Sequence, residues 1–105
     1  MVIIGILAYP PENTREMIKR FMEQPPLPAY ITMKGHYVSG ELGVGNKNIV
    51  IYECDQSKFS EAYQSIMTRY TKYNGVPGFT CSVHPWLEVE EALKTIGMDQ
   101  TSRIR

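Results

Sequence analysis

The sequence predicts an α+β fold in which one layer of helices covers one face of a four-stranded antiparallel sheet. Three observations lead there. Val2 to Ala8 is a continuous β-branched run, apolar on both faces. The remaining periodic segments follow in the order helix, strand, strand, helix, strand, with a short helical tail. With 105 residues, the chain has helices enough to cover only one side of such a sheet. The first strand is apolar on its other side too, and it calls for a second subunit to cover it.

Each element has its own justification. The first strand runs from Val2 to Tyr9. Gly5 interrupts it and marks a close approach of backbone to a neighbour, and Pro10-Pro11 ends it. Asn13 is placed to cap a helix, with Glu16 completing a capping box. Met17, Ile18, Phe21 and Met22 then repeat at helical spacing. Pro25-Pro26-Leu27-Pro28 breaks the helix and runs extended.

A second strand is expected from Tyr30 to Ser39. Strict alternation puts Ile31, Met33, Gly35 and Tyr37 on one face and Thr32, Lys34, His36 and Val38 on the other. The glycine-spaced stretch 40–47 reads as a loose β-hairpin. It lacks the Gly-Lys-Ser/Thr ending of a phosphate loop, and a strand follows it rather than a helix.

Asn48 to Cys54 is the third strand, with Val50, Tyr52 and Cys54 on one face and Ile49, Ile51 and Glu53 on the other. Asp55 or Ser57 caps a second helix whose apolar stripe runs from Phe59 through Ala62, Tyr63, Ile66, Met67 and Tyr70 to Tyr73. Asn74-Gly75 ends it. In the fourth strand, Val76 to Trp86, Phe79, Cys81 and Val83 alternate with Thr80, Ser82 and His84. Glu88 to Ile96 is a short amphipathic helix that Gly97 stops, and residues 98–105 read as a frayed tail. The chain is thus expected to be a single domain over 1–97 with a tail over 98–105.

Two βαβ units joined by a hairpin give a ferredoxin-like βαββαβ sheet, helices on one face, with a short C-terminal helix. On this element order, and on Lys34-Gly35-His36-Tyr37, Ile49-Val50-Ile51-Tyr52-Glu53, the run Phe79 to Pro85 and the Glu88, Glu90, Glu91 cluster, residues 2 to about 95 resemble the dimeric α/β-barrel superfamily. The chain is most similar to its small stand-alone domains of unknown function. The resemblance implies a homodimer whose sheets pair face to face, with a cavity within or between subunits, and it leaves the chemistry open. The nearest group has a Trp-His pair that would fall near Tyr37-Val38. That pair is absent, so no residue role is carried over.

Composition narrows the function. Lys+Arg and Asp+Glu balance at 11 each and are interspersed, which argues against a nucleic-acid footprint. The apolar start of the chain is too short for a membrane span and lacks the basic residues that open a signal peptide, so a cytoplasmic protein is expected. Cys54 and Cys81 fit neither a disulfide framework nor a Cys-x-x-Cys site, and both are expected as buried free thiols. No tight His/Cys spacing points to a metal, and no cofactor is expected.

His36 and His84 are the only histidines. Alternation puts His36 beside Lys34, and His84 beside Thr80 and Ser82. In a dimer these faces form a polar pocket of Lys34, His36, Thr80, Ser82 and His84, with Tyr9 and Tyr52 as aromatic walls. His36 or His84 would then anchor a ligand or move a proton. Against this stands the plainer reading of polar residues on solvent-facing edge strands. The function expected is therefore a homodimer that binds a small hydrophobic or aromatic molecule in a barrel cavity. The resemblance implies a cofactor-independent monooxygenase or isomerase acting on such a molecule as one alternative, and an assembly domain with no ligand is another.

Overall fold

The computed structural model describes residues 1–41 and 44–97. The elements are β1 (Val2–Tyr9), α1 (Thr14–Met22), β2 (Ile31–Glu41), β3 (Gly45–Cys54), α2 (Phe59–Thr71), β4 (Thr80–Trp86) and α3 (Val89–Thr95). The strands form one sheet in the order β2-β3-β1-β4, and every neighbouring pair is antiparallel. The α+β class and the four-stranded antiparallel sheet are as the sequence predicts. The strand order is compatible with a ferredoxin-like arrangement. The expected tail over 98–105 lies outside the described residues. Among those residues no helix is long and apolar enough to cross a membrane.

α1 and α2 pack on the same side of the sheet. The core between the layers holds Ile3, Leu7 and Tyr9 from β1 and Val50 and Tyr52 from β3. Met17 of α1 and Ala62, Ile66 and Tyr70 of α2 face them. β1 alternates between buried and half-buried positions along its whole length. The helix-side residues are the buried set. Val2, Ile4, Ile6 and Ala8 point to the uncovered side, where they stay partly exposed. At Gly5 the layers meet closely: a Cβ there would stand 2.0 Å from the Tyr70 hydroxyl. The interruption in the β-branched run makes room for that ring.

Both helices begin differently from the expectation. A 3₁₀ turn, Pro11–Asn13, precedes α1, and the Asn13 side chain makes no cap. Its amide donates instead to the Pro77 carbonyl at 2.5 Å. Glu16 pairs with Arg20 one turn on, at 3.0 Å, and closes no capping box. A second 3₁₀ turn, Gln56–Lys58, leads into α2, and neither Asp55 nor Ser57 caps it. The capping box occurs at α3, between Glu88 and Glu91. β4 starts four residues later than expected, because residues 76–79 turn through Gly78 at φ +75°.

The cysteines also differ. Both are free, but Cys54 is only half-buried and Cys81 is exposed. Cys81 lies on an edge strand, where the helix layer gives way to solvent. Neighbouring protein still desolvates both thiols and pushes their pKa up, so neither is activated.

Candidate functional site

The decisive local feature is a bulge in β2. Ile31, Thr32 and Met33 pair in register with Cys54, Glu53 and Tyr52 of β3. The register then shifts between Met33 and Gly35, leaving Lys34 as the extra residue. From there on Gly35 pairs with Ile51, His36 with Val50, Tyr37 with Ile49 and Val38 with Asn48. Directly opposed residues of an antiparallel pair point to the same face. Val50 and Asn48 belong to the helix side, and His36 and Val38 therefore do too.

This corrects the expectation that His36 shares a face with Lys34 and Thr32. It also moves Tyr37 to the uncovered side, where its ring lies across Gly35. A one-residue slip inverts every later side chain of a strand. Unbroken alternation cannot show one.

On the helix side His36 meets two partners. Its ring stands edge-on to Phe21 of α1, with centroids 5.8 Å apart. Its Nε2 lies 3.1 Å from Oδ1 of Asn48 and donates to it. Asn48 is 7% exposed, the one buried polar residue beside thirteen buried apolar ones among the described residues. Its place on the Val50–Tyr52 face gives the readable signal that sequence reasoning passed over: a polar residue at a period-two core position.

These residues line a cleft of about 310 Å³ between α1 and the β1, β3 and β2 strands. Leu7, Tyr9, Met17, Ile18, Phe21, Val38 and Tyr73 form its apolar wall. Its polar side chains are Thr14, His36, Asn46 and Asn48, and Tyr9 and Tyr73 add a hydroxyl each. Two of these satisfy each other: Asn46 donates to Thr14 Oγ1 at 3.0 Å, and Thr14 donates to the Pro11 carbonyl at 2.6 Å. Among the described residues no Lys, Arg, Asp or Glu lines the cleft. A smaller recess of about 30 Å³ adjoins it, sharing Leu7, Phe21, His36 and Tyr73 and adding Tyr52 and Tyr70. The hydroxyls of those two tyrosines are 3.1 Å apart, and burial pushes both pKa values up. They stay protonated and serve the core.

The residues expected to share one pocket are thus divided between two faces. His36 and Tyr9 line the cleft, and Tyr52 lies just behind it. Ser82 and His84 pair with Ile6 and Ile4 of β1 and share their uncovered face, as does Thr80 opposite Ala8. Lys34 sits in the bulge and pairs with Glu53 at 3.4 Å. The two histidines are separated by the thickness of the sheet, and they cannot act together within one chain. Among the described residues no three His, Cys, Asp or Glu side chains gather as a metal-ion set.

Neither a protein-family model nor a curated protein matches the chain.

Proposed function

We propose that the protein binds a small, largely apolar molecule in the cleft between α1 and the sheet, and that it does so as a homodimer. One observation carries the binding reading: an apolar cleft of about 310 Å³ whose wall includes the His36–Asn48 pair. Ligand sites are typically concave, mostly apolar and supplied with a few placed polar groups, and a volume of this order suits a small organic molecule. The rim supports the reading, because Ile18 and Val38 are exposed apolar side chains at its mouth.

The uncovered sheet face supports the dimer. Val2, Ile4, Ile6 and Ala8 of β1 lie between Ile49 and Ile51 of β3 and Trp86 of β4, with Tyr37 on the far side of β3. Exposure reaches 37% at Ile49, 51% at Trp86 and 61% at Tyr37. A second copy of the same face, apolar along its middle, is a fitting cover. In this arrangement the cleft lies on the opposite side of each sheet from the seam, so each subunit keeps its own site.

The binding reading is tested with N-phenyl-1-naphthylamine, a neutral fluorescent probe. The parent protein is expected to enhance its emission saturably. Val38→Trp, a change at an exposed rim position, is expected to block the cleft and weaken binding at least tenfold while leaving Tm unchanged. Equal binding by the parent and Val38→Trp would place the probe elsewhere and refute the cleft.

A further inference from the structure

The arrangement of Asn48 says more about the ligand, given the cleft reading above. Among the described residues its side chain makes a single hydrogen bond, with Oδ1 accepting from His36. That bond turns the carbonyl arm of the amide toward the imidazole. The NH2 arm is left without a protein acceptor, on a residue 93% buried in the wall of the cleft, by the complement of its 7% exposure. A ligand that fills the cleft strips water from this donor, which is costly unless the ligand supplies an acceptor there. Of the other wall polar groups, Asn46 donates to Thr14 and Thr14 to the Pro11 carbonyl, and Tyr9 and Tyr73 bring a hydroxyl each.

The charge of the cleft sets the second condition. Among the described residues a carboxylate or phosphate would meet no Lys or Arg on the cleft wall, and Arg69 of the adjoining recess is turned to the Pro25 carbonyl. Burying an anion without a cation is far more costly than burying a neutral polar atom. We propose that the ligand is an uncharged molecule with an apolar body and a carbonyl-type acceptor, and that it enters with that oxygen toward the Asn48 amide. His36 is then a positioning residue, which holds the amide so that it presents its donor to the cleft.

Three probes of one shape separate the possibilities: 2-acetylnaphthalene, 2-ethylnaphthalene and 2-naphthoate. Calorimetry with the parent protein is expected to show the ketone binding at least tenfold tighter than the hydrocarbon, with the carboxylate the weakest. In a ¹H–¹⁵N spectrum the Asn48 side-chain NH2 pair is expected to shift with the ketone and not with the hydrocarbon. Asn48→Leu, similar in shape, should abolish the preference while hydrocarbon binding persists. The spectrum of the parent protein decides the matter if that variant does not fold. Equal affinity for ketone and hydrocarbon, tightest binding of the carboxylate, or an unmoved Asn48 amide would each overturn the assignment while leaving an apolar cleft that binds. Failure of all three to bind would overturn the cleft reading as well.

Discussion

The hydroxyl of Tyr70 lies over the backbone of Gly5, so close that a methyl group on Gly5 would overlap it at 2.0 Å. The same hydroxyl is 3.1 Å from that of Tyr52. One ring thus closes the core against β1 and pairs with β3. Gly5→Ala is expected to destabilise the fold by about 1–3 kcal/mol, the usual range for overpacking. Tyr70→Phe removes the nearest clashing atom but leaves Tyr52 without its partner, costing about 1 kcal/mol alone. Thermal unfolding of both single variants and the double variant checks the pair. The double variant should be more stable than the sum of the two losses predicts, and strict additivity would contradict the contact.

The buried tyrosines set an alkaline limit. Burial raises the pKa of Tyr52, Tyr70 and Tyr73 above the usual tyrosine value. The folded state favours the protonated phenols, so their contribution is complete below about pH 10, the unfolded value, and is lost as pH rises through the folded values. Absorbance near 295 nm and far-UV circular dichroism, followed together from pH 9 to 13, should show these three ionising only with unfolding. Ionisation of all seven tyrosines before any loss of circular dichroism would contradict their burial.

A charge on the uncovered sheet face should separate the dimer. Light scattering of the parent protein is expected to give twice the 12.0 kDa chain mass. Ile49→Lys, in the middle of that face, should give the single-chain mass while the circular dichroism spectrum is kept. A parent protein that runs as a monomer at micromolar concentration would remove the seam.

The two thiols should differ in access and share a low reactivity. Cys81 is exposed and Cys54 half-buried, so Cys81 is expected to label first with a disulfide reagent in the native protein. Both pKa values lie above the usual thiol range, chiefly through desolvation. The Cys81 rate at pH 7 should therefore fall below that of a free cysteine and rise steeply with pH. A rate faster than that of free cysteine would indicate an activated thiol instead.

Much of the fold was legible in local pattern. Val2 to Tyr9 announced a strand, because a continuous β-branched run suits a central strand, and β1 spans those residues. Gly5 announced a close approach, and Tyr70 supplies it. The alternation of Cys81 and Val83 with Thr80, Ser82 and His84 carried over directly, since β4 pairs with β1 without a break, while Phe79 falls in the turn before it. The helices were legible in extent but not in their caps. The Asn13 side chain accepts from no helix N–H and instead donates to the Pro77 carbonyl, distant in sequence.

The site was decided elsewhere. Sequence alone determined that His36 lies on a strand, that Asn48 shares a period with Val50 and Tyr52, and that α1 carries an apolar stripe. Only the tertiary structure decided that these three meet. The face on which a strand residue emerges depends on how many residues of its partner have been matched before it. Lys34 is matched to none, which inverts His36 and everything after it. A bulge is a property of two strands, and no count along one of them contains it.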